Sequence, residues 1–238
     1  MTGFLVSCEH ASNRLPAGYE LDRELLRLHI AWDPGAPRVA RRLAEAFSAP
    51  LHLGRWSRLL VDLNRPVGNR DLIRTRAWGH PIPFNRRLSP QDKERRIERY
   101  YRPYREAIEK EIDATIARAG RAVHVAVHSF TPVLNGHVRP TDIGLLFDPE
   151  RPPETRVARA MKRDLARRTG LAVHLNLPYR GTSDGLLPAC RKDRAPDLYL
   201  GIELEINQKH AQSPKTLDWI AAQIEQSLRN ALHALRLQ

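Results

Sequence analysis

Two histidines stand where apolar runs end: His10 shortly after Phe4-Leu5-Val6, and His128 directly after the run 122–127. Other polar residues occupy comparable places. They are Glu9 beside His10, Asp62 and Asn64-Arg65 after Leu59-Leu60-Val61, Asp148 after the run 143–147, and Glu203 with Glu205 in 201–206. Imidazole and carboxylate are donors that suit zinc, and a site with one open coordination position acidifies water enough for hydrolysis near neutral pH. A single histidine at such a place is more often a loop residue making hydrogen bonds. Two at equivalent strand ends shift the reading towards ligands.

Asp62-Leu63-Asn64-Arg65 has a second kind of chemistry. An arginine fork pairs bidentately with a carboxylate, and a neighbouring asparagine amide can add a hydrogen bond. The competing reading is a turn closed by Asp62 and Arg65. In Gly201-Ile202-Glu203-Leu204-Glu205-Ile206, strand alternation puts both glutamates on one face and the aliphatic residues on the other. An acid on a buried strand is costly unless it meets a cation, a metal or a proton-transfer task. Asp33 fits an N-cap and also a carboxylate ligand, and local signals favour the cap. Pro178 to Gly185 reads as a loop in which Arg180 could contact substrate. Ser129 lacks the flanking glycines of a nucleophile elbow. The two cysteines, Cys8 and Cys190, are too few for a thiolate cage and read as buried packing.

These residues need a scaffold that brings strand ends together. Apolar runs at 4–6, 51–53, 59–61, 122–127, 143–147, 172–175 and 198–206 read as strands. Helical spacing occupies 21–30 and 34–47, the latter with Asp33 as its expected cap. Ser89-Pro90-Gln91-Asp92 opens a helix running towards Gly120, with a kink expected at Pro103. Another helix covers about 154–169, and Ser213-Pro214 caps a C-terminal one. Residues 64–88 form a long functional loop. The alternation predicts an α/β fold: a mixed, mainly parallel sheet flanked by helices on both faces, in a single domain spanning 1–238. Ligands of such sheets gather beyond the carboxyl ends of the strands.

Composition narrows the partners. The chain has 238 residues, 42% hydrophobic and 28% charged, which is ordinary for a globular protein. With no basic leader and no apolar run near the roughly 20 residues of a membrane span, a cytoplasmic protein is expected. The net charge of +12 comes mostly from arginines interleaved with acids along helices. No aromatic-studded basic block is present, so solvated helix faces are expected and nucleic acid is not the expected partner.

Taken in order, several motifs resemble the N-formylglutamate amidohydrolase family. They are Glu9-His10-Ala11-Ser12-Asn13-Arg14-Leu15-Pro16, Trp32-Asp33, Val61-Asp62-Leu63-Asn64-Arg65, Arg102-Pro103-Tyr104, Val127-His128-Ser129, Pro178-Tyr179-Arg180-Gly181, and Glu203-Leu204-Glu205-Ile206-Asn207-Gln208. That family is similar to the zinc-exopeptidase-like hydrolases, including aspartoacylase and the zinc carboxypeptidases. The resemblance implies one divalent metal ion, zinc or alternatively cobalt, on His10 and His128. It further implies that Asn64 and Arg65, with Arg180, bind a substrate carboxylate and that Glu205 is the general base. The wider superfamily has a glutamate three residues after the first histidine, where this chain has Asn13. Asp33 is the expected third ligand, with Asn13 itself, Glu9 and Glu203 as the alternatives. The implied activity is hydrolysis of the amide of an N-acyl amino acid, N-formyl-L-glutamate above all. Two rivals remain: a metal-dependent peptidase or amidase for another carboxylated substrate, and a basic nucleic-acid- or partner-binding protein on a lapsed hydrolase fold.

Overall fold

The computed structural model describes residues 2–235. Ten strands form in chain order: β1 (Gly3–Cys8), β2 (Leu51–Leu53), β3 (Arg76–Ala77), β4 (His80–Pro81), β5 (Ala122–Phe130), β6 (Val133–Leu134), β7 (His137–Val138), β8 (Ile143–Leu146), β9 (Val173–Leu175) and β10 (Tyr199–Asn207). Six of them make the central sheet, in the order β2-β1-β5-β10-β8-β9. The first four are mutually parallel, β8 is antiparallel to β10, and β9 is parallel to β8. The sheet is therefore mixed and mainly parallel, as the sequence predicts. β3–β4 and β6–β7 are two-residue hairpins in the connecting loops.

Burial on both faces explains the near-continuous apolar runs of the central strands. The helices are α1 (Arg23–Arg27), α2 (Ala36–Phe47), α3 (Pro90–Arg96), α4 (Arg102–Ala119), α5 (Pro152–Thr169), α6 (Leu186–Arg191) and α7 (Pro214–Ala234). On one face, Val123, Val125, Val127, Ile202, Leu204 and Ile206 pack against α2, α5 and α7. On the other, Leu5, Ala126 and Tyr199 meet Ile108 and Ile112 of α4 and Leu186, Leu187 and Cys190 of α6. This second face also carries polar residues. His124 lies between Ser7 Oγ at 2.8 Å and the Tyr199 hydroxyl at 2.9 Å, and burial pushes its pKa down to about 3. No helix among the described residues is long and apolar enough to cross a membrane.

The structure revises five local expectations. Leu59-Leu60-Val61 is buried but forms turns rather than a strand. Its carbonyls are taken by side chains, Asn85 Nδ2 at Leu59 and Arg96 Nη1 at Leu60, which leaves no ladder to join. The helix expected over 21–30 is confined to α1, because Leu28 turns to an extended conformation. Asp33 does not cap α2. Gly35, at φ 85°, occupies the cap position, and the Asp33 carboxylate turns back towards the histidines.

The irregularity near Pro103 begins before it, as a π-turn over Ile97–Tyr101 between α3 and α4. Proline has no N–H for the Arg99 carbonyl, and the chain instead closes a wider turn from the Arg102 N–H to the Ile97 carbonyl. Finally, Asp148 follows a strand that runs against β10, so it lies towards the opposite rim from His128 and Glu205. Its backbone N–H binds Glu154 at 2.9 Å, a structural task.

Candidate metal centre and active-site cavity

The parallel strands β1 and β5 are neighbours in register, so His10, just past the end of β1, emerges beside His128 near the end of β5. His10 and His128 meet there with ring centroids 5.0 Å apart. Asp33 is brought in by its own N–H, which binds the His10 carbonyl at 2.9 Å. One carboxylate oxygen, Oδ2, lies 2.9 Å from His128 Nδ1 and 3.4 Å from His10 Nδ1. Ligand atoms of His10, Asp33 and His128 all lie within 4.8 Å of one another, and all three residues are buried.

The opposite ring nitrogens are also engaged. His10 Nε2 lies 2.7 Å from Asp62 Oδ1, and His128 Nε2 lies 2.7 Å from Glu9 Oε2. Both carboxylates are buried and further anchored: Glu9 accepts from the Tyr104 hydroxyl at 2.9 Å, and Asp62 accepts from Arg58 at 2.8 Å. A histidine that donates its Nε2–H to a carboxylate keeps its Nδ1 lone pair for a metal, the usual outer arrangement of metal-binding imidazoles. Gly54 protects the Glu9 turn, since a Cβ there would lie 1.9 Å from the Glu9 carbonyl oxygen.

Electrostatics favour a cation at this point. Burial works to raise the pKa of Glu9, but the hydrogen bond and charge of His128 outweigh it and bring the value to about 2. Asp33 is driven below the ordinary carboxylate range against its burial by both histidines, and Asp62 against its burial by Arg58 and His10. Three buried carboxylates are thus ionised around two imidazoles, with Arg58 as the near arginine. His128 answers by holding its proton: burial opposes this, but Asp33 and Glu9 raise its pKa well above the ordinary value. A divalent ion between the two Nδ1 atoms and Asp33 would supply the same compensation, so the donor set fits a metal.

β10 contributes the facing acids. Glu205 pairs in register with His128 on the adjacent strand, and Glu203 precedes it on the same face. Burial raises the pKa of both, and Glu205 Oε2 is buried without a hydrogen-bond partner. Gly144 makes the necessary room: a Cβ there would lie 2.2 Å from the Leu177 carbonyl oxygen and 3.1 Å from Glu205 Cβ.

Both glutamates open into a cavity of about 370 Å³ that also reaches His10, Asp33 and His128. Arg58, Asn64, Arg65, Arg74 and Arg180 also line it. Arg65 Nη1 binds Asp184 Oδ1 at 3.0 Å, while the Asn64 side-chain oxygen accepts the Leu186 N–H at 2.7 Å and caps α6. A turn does close from the Arg65 N–H to the Asp62 carbonyl, but the two side chains part, Asp62 going to His10 and Arg58. Arg180 is exposed at the rim. A wider depression of about 700 Å³ beside Tyr19 and Arg99 is lined by charges of both signs without histidine or cysteine.

All the expected site residues line this one cavity: His10, Asp33, Asn64, Arg65, His128, Arg180 and Glu205. Asn13 does not line it. Cys8 and Cys190 are buried, with burial raising both thiols, Cys190 to about 12, and Ser129 Oγ donates to the Pro34 carbonyl rather than to a base. Sequence reasoning overlooked Arg58 and Arg74. Arg58 had a local signal, an acid four residues on, whereas Arg74 reaches the cavity only through the folding of a long loop.

A match to the N-formylglutamate amidohydrolase family spans residues 2–228. Nothing among curated proteins matches the chain. Among solved structures it is similar to a gene product from Agrobacterium tumefaciens, at 34% identity and a TM-score of 0.85, covering 98% of this chain and 91% of the other. N-formylglutamate amidohydrolase from Ralstonia eutropha JMP134 shares the fold at 20% identity and a TM-score of 0.75, covering 99% and 94%. Because the match runs over nearly the whole chain, residues 2–228 of 238, this chain belongs to the N-formylglutamate amidohydrolase family.

Proposed function

We propose that the chain hydrolyses the amide of an N-acyl amino acid, with N-formyl-L-glutamate as the leading substrate. The observation that carries this reading is the orientation of the two histidines. Both turn Nδ1 towards one Asp33 oxygen while their Nε2 atoms are held by buried carboxylates, beside a cavity lined by Glu205 together with several arginines. His10, Asp33 and His128 would hold one divalent ion, zinc or cobalt, whose contribution is Lewis acidity towards water and the acyl oxygen.

The chain's own residues supply the rest. Arg65, with Asn64 and Arg180, holds the substrate carboxylate and so fixes the amide in front of β10. Glu205 Oε2 has no protein partner and takes a proton from water as the water oxygen bonds to the acyl carbon. It returns that proton to the amide nitrogen as the C–N bond breaks, giving formate and glutamate. Burial suits the task, because a carboxyl with a raised pKa takes and releases a proton more evenly near neutral pH.

Release of formate or acetate from a panel of N-formyl and N-acetyl amino acids tests the proposal. N-formyl-L-glutamate should lead the panel, and His10→Ala should abolish turnover. An enzyme that releases no carboxylic acid from any member, or a His10→Ala variant with full activity, would overturn it.

A further inference from the structure

The cavity arginines are not equally neutralised. Arg58 has Asp62 at 2.8 Å and Asp33 at 3.5 Å, and Arg65 has Asp184 at 3.0 Å. Arg74 has only Asp71, at 3.7 Å and beyond hydrogen-bond reach, on a side chain that is 45% exposed. Its Nε is buried without a partner. Burial lowers its pKa first, and Arg58 and Arg65 lower it further, so positive charges crowd it while carboxylates only partly offset them. A buried guanidinium N–H left unpaired is destabilising, and an entering carboxylate that accepts from Nε and an Nη satisfies it bidentately.

The backbone at this point is fixed before any ligand arrives. Asn85 is buried, and its Nδ2 binds the Arg74 carbonyl at 2.6 Å. Buried Arg96 in turn donates to Asn85 Oδ1. The middle of the loop 64–88 is therefore pinned where Arg74 lines the cavity, an arrangement that lowers the ordering cost of binding.

We propose that Arg74 receives a second carboxylate, the one on the substrate's side chain, while Arg65 takes the α-carboxylate. The assignment rests on the hydrolytic reading of this cavity and adds which residue selects acidic side chains. A site built to pair a polar group rejects analogues that lack it, by up to about 10⁴-fold.

Two measurements test it on the metal-loaded protein. The first is the ratio of kcat/KM for N-formyl-glutamate to that for N-formyl-glutamine. It should be about 100 or more in the parent, fall below about 5 in Arg74→Met, and be partly restored in Arg74→Lys, whose ammonium keeps the charge without the fork. A ratio near unity in the parent, or one unchanged in Arg74→Met, overturns the assignment. The second is calorimetric binding of glutarate against butyrate, which requires no turnover. If the parent hydrolyses neither amide, the functional reading fails and the binding arm alone decides. Glutarate bound at least about 10-fold tighter than butyrate, with the preference lost in Arg74→Met, supports the second carboxylate subsite. Equal affinities, or a preference that survives the substitution, refute it.

Discussion

Replacing Glu9 by glutamine removes one negative charge from the interior and leaves the side-chain shape unchanged. In the parent, Glu9 accepts from His128 Nε2 at 2.7 Å and from the Tyr104 hydroxyl at 2.9 Å. Glutamine can still accept from His128 through its oxygen. Its amide nitrogen then faces Tyr104, whose hydroxyl can donate to the His52 carbonyl at 3.2 Å and accept from the amide. The packing therefore survives, and what changes is the charge behind the imidazole. Outer carboxylates of this kind contribute about 10–100-fold to metal affinity, or roughly 1.4–2.7 kcal/mol. The short hydrogen bond and full burial of Glu9 put the expected loss towards the upper end, about 50-fold. Titrating zinc against a competing chelator at pH 7.5 measures it, with a thermal melt of the metal-free protein as the control for folding. Asp62→Asn should act in the same direction through His10. A zinc affinity for Glu9→Gln within twofold of the parent, in a folded protein, would refute the view that Glu9 orients and polarises His128.

Three other outcomes follow from the same geometry. Glu205→Gln should retain zinc with near-parental affinity while kcat falls by about 10²–10⁴-fold; parental kcat would remove Glu205 as the proton carrier. Metal-free protein should lose stability as pH falls from about 6.5 towards 3. His124 stays neutral in the fold down to about 3 while the unfolded chain takes up a proton near 6.5, so acidification favours unfolding by at most about 5 kcal/mol. Urea titrations in that window should show a smaller slope for His124→Gln, and identical slopes would count against the buried neutral histidine. Gly144→Ala should destabilise by about 1–3 kcal/mol and weaken turnover, because the new Cβ forces the Leu177 carbonyl away and disturbs the loop bearing Arg180; unchanged unfolding and kinetics would show that the loop gives way freely.

The sequence displayed the sheet well where strands run parallel and are buried on both faces. β1, β5 and β10 read as apolar runs, and the polar residues at the carboxyl ends of β1 and β5 converge because the strands point the same way. The same reasoning misled at Asp148, since nothing local distinguishes a strand that enters the sheet reversed. Leu59-Leu60-Val61 has the burial of a strand, but partners from distant segments satisfy its carbonyls. Asp33 carried two compatible local readings. Only tertiary packing decided between them, by handing the α2 cap to Gly35 and turning the carboxylate inward. The pairing of Glu9 with His128 depends on two strands 119 residues apart in sequence, and Arg74 depends on a buried Asn85–Arg96 contact. Neither leaves a periodic trace.

Amide hydrolysis by this chain should depend on a metal ion at His10, Asp33 and His128. The most direct measurement is formate release from N-formyl-L-glutamate as chelator-treated protein is titrated with zinc. Activity should begin near zero, rise linearly to a break at one equivalent per chain, and fail to rise in His128→Ala. Full hydrolysis before zinc is added, or a rise that His128→Ala reproduces, would contradict the account.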